Sequence, residues 1–520
     1  PLSRLGLSAG LASRMFNAGL VIRDDHGVPM PYLAQEVPQL NTANWRLSPD
    51  GTMETVYRLK SKTTWQDGEP LSADDFVFAY EIYSAPAFGL ASSTPMNIMD
   101  GVTALDPQTV RVHWKRTYPD AAALDGGITG MSSPAAFPPL PRHLIGQAFA
   151  SQDVEAFVAN PFWTTQYIGA GPYKLDQWET GAFVEGIAFD GHILGKPQIP
   201  RIRLLFISDP NAAIANLLSG TANLTTGDIL RFQEMQTLQQ QWPDGKYVVF
   251  FSTYRITQFQ RKPAYASTAA FLDARVRQAL AHGVDWDSLN EALFEGQGLR
   301  STGPIQPSTA YYGDLDKVVA HYPFDSRRTE QLMTDAGLTR GLDGVWASRD
   351  PAIGRMSFET NVLASPASDN EMHIMADTWR KLGFEVKEVD WSPAQGQDNE
   401  VRNTFPGLST TSTPSGEQAM SEYRSDRIPT PQNRWTGNDR GAWPGSPDYD
   451  GLADVWETSL DRNDRIRSVI EMNKVMNDQV VVINLYWNLF GQAYANGVVG
   501  PRSTDPSTTA EWNIHEWEFR

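Results

Sequence analysis

The chain has 520 residues, 41% hydrophobic and 20% charged, and this length predicts two or three hydrophobic cores rather than one. Its 61 acidic and 43 basic side chains give a formal net charge of −18, which would repel a phosphate backbone and excludes nucleic acid as a partner. The absence of cysteine excludes disulfides, thiol nucleophiles and Cys-ligated metals. No apolar run is long enough to span a membrane, and we expect any export signal to have preceded Pro1.

Residues 45–80 predict a hairpin, a turn and a capped helix in one segment. Side chains alternate between apolar and polar over residues 53–60, as they do in a half-buried strand. Ser72 stands where an N-cap belongs, and Asp75 follows three residues later as in a capping box. The pattern therefore predicts a helix that begins at Ala73.

Further blocks with distinctive patterns follow along the chain. They are GAGPYKLDQW at 169–178, DARVRQALAHGVD at 273–285, FDSRRTEQLMTDAGL at 324–338, SPDYDGL at 446–452 and VVINLYWNLFGQAYANGVVG at 481–500. Together with residues 45–80, these blocks resemble the family 5 extracellular solute-binding proteins. Members of that family are receptor subunits of ATP-binding-cassette (ABC) importers for peptides, nickel and some oligosaccharides.

The resemblance implies an α/β, periplasmic-binding-protein-like fold with mixed sheets, in which two main lobes surround a ligand cleft and a smaller domain is inserted. Strands and helices that follow one another without strict alternation also argue against a simple doubly wound sheet or barrel. By resemblance, lobe I comprises 1–44, 169–257 and 483–520, lobe II is the insertion 45–168, and lobe III spans 258–482.

Binding is expected to close the lobes by a hinge motion at the two places where the chain crosses between them. The Gly-x-Gly-Pro junction suits a chain reversal at the first crossing. The expected hinge residues are Gly169, Gly171, Gln258 and Gln260.

No pattern in the sequence indicates catalysis, a resident metal or a cofactor. The eight histidines occur singly, without HExxH or HxH spacing, and no GxSxG is present. The adjacent carboxylates at 24–25 and 74–75 point apart along the chain, and the second pair is already expected to cap a helix. We therefore expect a binding protein that is not an enzyme and needs no cofactor or metal.

Tryptophans in polar, Gly/Pro-rich segments are the first ligand candidates, because an indole offers a broad flat face and one donor. Trp391, Trp435 and Trp443 meet that condition, although a core position is the more frequent role for any single Trp. The context of Trp391 also resembles a family segment in which an acidic residue followed by Trp lines the ligand cavity, with Arg402 as the matching arginine. The resemblance further suggests wall residues in an N-terminal loop, namely Leu7 and Ser8.

Residues 406–418, PGLSTTSTPSGEQ, depart from the peptide-binding members of the family. In those members the matching stretch carries a Trp and then an Asp that pairs with the α-amino group of the peptide. A buried ammonium would lack a partner here unless Glu417 or another acid substitutes. Hydroxyls in this stretch suit neutral polar ligands, or they merely satisfy backbone groups of a loop. The hydroxyl candidates are Ser409, Thr410, Thr411 and Ser412.

These observations predict the substrate-binding protein of an ABC-type importer, periplasmic or on the cell surface, with an oligopeptide-class solute by family. The expected partners are the solute and an ABC permease in the membrane, and the chain is expected to be a monomer. A trimmed anchoring Cys would make the precursor a lipoprotein. The alternatives are a receptor for an oligosaccharide or other neutral polar solute, a sensor or adhesion module, and a carbohydrate-active enzyme with two acids roughly 5–10 Å apart across a cleft.

Overall fold

The computed structural model describes residues 14–91, 94–127, 135–226, 229–502 and 511–520, without the side chain of Ser252. The chain divides into two compact units. Unit 1 comprises the described residues of Pro1–Phe250, Thr458–Leu460 and Phe490–Arg520, and unit 2 comprises those of Phe251–Glu457 and Asp461–Leu489.

Unit 1 contains small antiparallel sheets and short helices. Its sheets have the strand orders β1-β2, β3-β4-β6-β5, β7-β8-β9 and β18-β19. The strands are β1 Val21–Arg23, β2 Pro29–Pro31, β3 Trp45–Leu47, β4 Met53–Arg58, β5 Met99–Asp106, β6 Thr109–Trp114, β7 Tyr173–Glu179, β8 Phe183–Ala188, β9 Arg201–Leu205, β10 Leu230–Arg231, β18 Val498–Val499 and β19 Glu518–Phe519. The helices are α1 Ala73–Tyr83, α2 Arg142–Ala150, α3 Val154–Val158, α4 Pro210–Leu218 and α5 Phe232–Gln241.

The capped helix and hairpin predicted from residues 45–80 are confirmed. β3 and β4 pair as an antiparallel hairpin, and alternate residues of β4 are buried. α1 begins at Ala73, and the backbone N–H of Ser72 donates to the Asp75 carboxylate at 2.9 Å. The same carboxylate accepts from the Trp65 indole at 3.2 Å, so the cap also ties the helix to the hydrophobic core of unit 1.

Unit 2 contains most of the larger helices. Its strands are β11 Lys246–Phe259, β12 Thr339–Arg340, β13 Trp346–Ala347, β14 Ser357–Leu363, β15 Glu385–Trp391, β16 Leu408–Pro414 and β17 Val482–Tyr494. Its helices are α6 Ala274–His282, α7 Trp286–Phe294, α8 Tyr312–Asp316, α9 Ser326–Asp335, α10 Pro366–Lys381, α11 Pro393–Gln397, α12 Asn399–Asn403, α13 Gln418–Ser421, α14 Pro447–Thr458 and α15 Arg462–Asp478. The helices predicted near 273–285 and 324–338 correspond to α6 and α9.

The main sheet is mixed, and five of its six strands contribute to unit 2, in the order β17-β11-β16-β14-β15. Its sixth strand, β10, pairs with the part of β17 that belongs to unit 1. β16 runs antiparallel to β11 but parallel to β14, and β14 runs parallel to β15. α10 connects β14 to β15 and packs on both strands, because two parallel neighbours need a crossover connection. With mixed sheets and packed helices in the described residues, the α/β class is confirmed.

The hydroxyl-rich stretch 406–418 was expected to offer hydroxyls to a ligand or to satisfy loop backbone, and most of it forms the strand β16. Its Thr residues are β-branched, and branched side chains pack well on a pleated surface, so they favour a strand. The structural setting of these hydroxyls therefore differs from the predicted one.

The chain passes between the units inside two strands, β11 after Phe250 and β17 after Leu489. Unit 1 contains the described part of predicted lobe II and most of predicted lobe I, and unit 2 contains most of predicted lobe III. The finer division into three lobes stays a prediction. Within the described ranges, no helix combines the length and apolar character that a membrane crossing requires.

Candidate functional site

The carboxyl ends of β14, β15 and β16 meet at one edge of the unit 2 sheet, because these strands are parallel. Ligands of open sheets with parallel strands bind outside the carboxyl ends. Leu363 ends β14 and lies opposite Trp391, the last residue of β15. Ser412 near the end of β16 lies opposite Arg255 of β11. We call this end of the sheet, with Asn488 of β17, the carboxyl edge.

Arg255 forms a buried ion pair at this edge with Glu371 of α10. The Arg255 Nη2 and Glu371 Oε2 atoms are 2.6 Å apart, and the two side chains are 11% and 0% exposed. Burial lowers the pKa of Arg255, but the Glu371 carboxylate offsets this effect and the net shift is upward. Arg255 therefore stays charged, and the adjacent Glu371 carboxylate offsets its charge.

Ser412 is the exposed hydroxyl of the carboxyl edge, and two neighbours fix its orientation. Its Oγ accepts from Arg255 Nη1 at 3.4 Å and from Asn488 Nδ2 at 3.0 Å. Asn488 Nδ2 also donates to Thr253 Oγ1 at 2.8 Å. Because the lone pairs of the Ser412 oxygen are engaged, its hydroxyl proton is left to donate outward.

The other predicted hydroxyls of β16 are bonded within the sheet. Ser409 Oγ donates to Asn361 Oδ1 at 2.8 Å, and the Thr410 hydroxyl lies 2.8 Å from that of Thr257. Ser409 and Thr410 are buried, and the half-buried Thr411 donates to a backbone carbonyl. Their contact with a ligand stays a prediction, and these internal bonds do not support it.

Trp391 and Trp443 have different surroundings. Trp391 is 8% exposed and stands at the carboxyl edge beside Leu363, which is 47% exposed. Trp443 is 5% exposed and packs edge-on against Tyr449, with ring centroids 5.0 Å apart, in the hydrophobic core of unit 2. Trp391 thus keeps a position suited to ligand contact, whereas the surroundings of Trp443 are those of a core residue.

Trp435 and Arg402 lie near the opposite end of the sheet, which we call the amino edge. It is the end at which β14 and β15 begin and β11 ends. Lys262, three residues beyond β11, has its ammonium 5.0 Å from the centre of the Trp435 ring. Asn403, next to Arg402, donates to the Trp435 carbonyl at 3.2 Å. The structure therefore does not bring Trp435 and Arg402 together with Trp391 and Ser412.

The second pair of predicted hinge residues lies in the interior of unit 2, beyond its boundary at Phe251. Gln258 Nε2 donates to the Asn438 carbonyl at 3.1 Å, and its Oε1 accepts from the Gly441 N–H. Gln260 Nε2 donates to backbone carbonyls at 3.2 and 2.9 Å, and its side chain is fully buried. These amides hold loops against the amino edge.

The first pair of predicted hinge residues, Gly169 and Gly171, lies inside unit 1. A Cβ atom on Gly169 would lie 1.9 Å from the Phe16 carbonyl oxygen, and one on Gly171 would lie 2.5 Å from the Phe16 carbonyl carbon. Close backbone approach explains both glycines. Hinge motion at either predicted pair stays a prediction, and the boundaries between the units fall at other residues.

Glu417, the predicted substitute partner for a ligand amine, is already engaged. Its carboxylate accepts from Tyr311 at 2.7 Å, from the Trp456 indole at 2.9 Å and from Arg462 Nη1 at 2.9 Å. Burial raises the pKa of Glu417, but the Arg462 guanidinium outweighs it and the net shift is downward. An incoming ammonium would have to displace these donors.

The sequence prediction did not identify Arg255, Glu371 and Asn488. A charged side chain within the strand TYRITQF was a usable signal, but its partner lies 116 residues away on α10. Leu7 and Ser8 lie outside the described residues. In the part of the chain that the structure describes, no three His, Cys, Asp or Glu side chains form a group that could hold a metal ion.

Comparison with known proteins agrees with this architecture. The oligopeptide-binding protein AppA of Bacillus subtilis is 25% identical over 369 residues, which are 69% of this chain and 62% of AppA. The dipeptide-binding protein of Escherichia coli is 24% identical over 461 residues, 84% of this chain and 78% of that protein. The chain thus spans about three fifths of the length of AppA.

Solved structures show the same fold. NikZ from Campylobacter jejuni, in complex with Ni(L-His), superposes with a TM-score of 0.77 at 20% identity over 99% of this chain and 97% of NikZ. The sequence profile of the bacterial extracellular solute-binding proteins, family 5 middle, matches residues 35–427. The chain therefore belongs to the family 5 bacterial extracellular solute-binding proteins.

Proposed function

We propose that the chain is the substrate-binding protein of an ABC-type importer, and that it captures a small solute of the oligopeptide class and delivers it to a membrane permease. The family match over residues 35–427 carries this proposal. It is supported by relatives that are named as oligopeptide- and dipeptide-binding proteins. The proposal places the chain outside the cytoplasmic membrane, as a monomer that catalyses no reaction, with a lipid anchor in the precursor.

The carboxyl edge is the proposed binding surface of unit 2. Ser412 supplies an exposed hydroxyl donor, and Leu363, which is 47% exposed beside Trp391, supplies apolar surface on the neighbouring strand. Strand ends are suited to binding because their side chains and backbone groups converge where the sheet no longer covers them.

Native mass spectrometry of freshly purified protein tests the function, because a tightly bound solute is carried through purification. Calorimetric titration of the identified solute should then give saturable binding with one site per chain. Recovery of a chemically altered solute after incubation with catalytic amounts of protein would contradict the proposal and favour a carbohydrate-active or other enzyme.

A neutral oligosaccharide is the second candidate solute. It is favoured by one observation, the engagement of Glu417 by Arg462 and two further donors, which leaves residues 406–418 without a free carboxylate for a peptide ammonium. Titration of matched free and N-acetylated di- to pentapeptides beside a panel of oligosaccharides separates the two candidates. A loss of several kcal/mol on acetylation would indicate conventional recognition of a peptide amine.

A further inference from the structure

The charged groups closest to Ser412 are compensated within the protein. Arg255 directs Nε and Nη2 to the Glu371 carboxylate, at 2.9 and 2.6 Å from Oε2, and Nη2 also reaches the Ser368 hydroxyl at 3.3 Å. Its remaining terminal nitrogen, Nη1, donates to Ser412. A solute carboxylate at this point would meet a cation whose charge and hydrogen bonds are largely committed to a fully buried acid.

The acid that follows β16 is compensated in the same way. Glu417 comes three residues after the end of the strand at Pro414, and Arg462 bridges its carboxylate. The Arg462 and Glu417 side chains are 52% and 18% exposed, so this pair is nearer to solvent than the first. A solute ammonium would therefore gain little from Glu417 unless it displaced a guanidinium.

Two uncharged groups remain at the exposed part of the carboxyl edge. The Ser412 hydroxyl has a proton to donate, since its oxygen accepts from Arg255 and Asn488. The Asn488 amide uses its nitrogen on Thr253 and Ser412, so its carbonyl oxygen is the part of the amide that can accept. A donor and an acceptor side by side match a peptide group or a sugar hydroxyl.

We propose that Ser412 and Asn488 determine specificity by recognising an uncharged hydrogen-bonding group of the solute, rather than a carboxylate or ammonium terminus. This inference rests on the proposed function, because it assumes that the carboxyl edge faces the solute. The compensated pair Arg255–Glu371 positions the Ser412 hydroxyl and keeps this part of the edge neutral.

Asp390 is the charged residue nearest to the carboxyl end of β15. It precedes Trp391, is exposed, and lies opposite Val362 of β14. β14 separates β15 from β16, so Asp390 is two strands away from Ser412. An ammonium bound at the exposed end of β15 would be recognised by Asp390, and an Asp390→Asn variant separates that outcome from recognition at Ser412.

Three solute mixtures test the proposal on the full chain by thermal shift followed by calorimetry. They are random tripeptides with free termini, the same tripeptides with acetylated and amidated termini, and neutral trisaccharides. We expect at least one of the two uncharged mixtures to raise the melting temperature at least as much as the free peptides. A response to the free peptides alone would overturn this inference but leave the proposed function standing, whereas no response to any mixture would count against both.

Variants then locate the contact, with the best uncharged member of the responding mixture as probe. Ser412→Ala should weaken its binding about tenfold, the effect of losing one hydrogen bond. Ser357→Ala is the matched control, because Ser357 is an exposed serine of the same sheet at the amino edge, and it should leave the affinity unchanged. Equal affinities of Ser412→Ala and the unmodified chain would contradict the proposal. Loss of free-peptide binding in Asp390→Asn would contradict it as well.

Glu371→Gln should shift the preference of the site from uncharged solutes toward solutes with a carboxylate. A purely structural role of Glu371 does not predict this shift. It leaves the Arg255 charge uncompensated, so the ratio of affinities for a free-acid tripeptide and its amide should rise tenfold or more.

Should this variant not fold, Arg255→Met combined with Glu371→Met removes both charges at similar volume. The double variant should bind the uncharged probe within about tenfold of the unmodified chain, since only one hydrogen bond to Ser412 is lost. A hundredfold loss would show that the charges themselves contact the solute.

Discussion

The two ends of the unit 2 sheet carry similar polar side chains that do different things. At the carboxyl edge, Ser412 is exposed and keeps a proton to donate. At the amino edge, the buried amides of Gln258 and Gln260 are bonded to the backbone of loops that pack on the sheet. A polar group can bind solute when it keeps a donor or acceptor that no other protein group uses. A polar group whose donors and acceptors are all bonded within the protein holds the fold together instead.

The largest expected effect comes from breaking the ion pair under the carboxyl edge. Arg255→Met leaves the Glu371 carboxylate buried without its cation, and we expect the free energy of unfolding to fall by about 3–5 kcal/mol. Urea denaturation followed by tryptophan fluorescence measures the change. Adding Glu371→Met should restore most of the loss, because a well-packed apolar pair of similar volume carries no uncompensated charge. A double variant as unstable as Arg255→Met would show that packing, not charge, is what the pair supplies.

The tryptophans sharpen the comparison between core and binding surface. Trp443→Ala removes an indole from the packed core beside Tyr449, so the free energy of unfolding should fall by about 3–5 kcal/mol, with little change in affinity. Trp391→Ala should weaken solute binding by about 1–3 kcal/mol, because Trp391 stands at the carboxyl edge. Its low exposure means that some stability is lost as well, but less than for Trp443.

Denaturation and calorimetry on both tryptophan variants give the two quantities independently. Unchanged affinity in Trp391→Ala, together with a stability loss equal to that of Trp443→Ala, would assign Trp391 to the core.

A smaller effect is expected at the amino edge, where charge depends on pH. Burial lowers the pKa of Lys262 from 10.5 to about 8, and Asp439 opposes this shift in part. Because the native pKa lies below the unfolded one, the stability gained by deprotonation is complete above about pH 10.5 and is lost as the pH falls to 8. Lys262→Met should therefore gain stability relative to the unmodified chain as the pH is lowered through this window.

Chemical denaturation at several pH values between 8 and 10.5 measures that difference. Lys317→Met is the control for removing a lysine from the surface of the same unit, since the Lys317 side chain is 74% exposed. A Lys262→Met difference that is constant with pH would show that Lys262 does not titrate in this window.

Local patterns predicted the local structure well. The residues Ser72 and Asp75 fixed the start of α1, because a capping box is made by side chains three residues apart and needs nothing from the rest of the chain. The stretch 406–418 was harder to interpret, since Ser and Thr occur both in loops and in strands. Only the pairing of β16 with β11 and β14 shows that these hydroxyls belong to a sheet.

The candidate site was predicted in part. Trp391 and Ser412 were expected from sequence and lie at the carboxyl edge, while Trp435 and Arg402, expected beside them, lie near the amino edge. Composition of a segment cannot separate the two groups, because both lie in polar stretches. The direction of each strand decides which end of the sheet a residue occupies.

The sequence by itself determined the family, the mixed α/β class, the capped helix α1 and the net charge, because these follow from short-range patterns and counts. Tertiary structure alone decided which polar groups are available. Arg255 and Glu371 are 116 residues apart and Glu417 and Arg462 are 45 apart, yet each pair cancels its charge in space. Whether a charged side chain can meet a solute depends on such partners, and distant residues become partners only when strands and helices pack together.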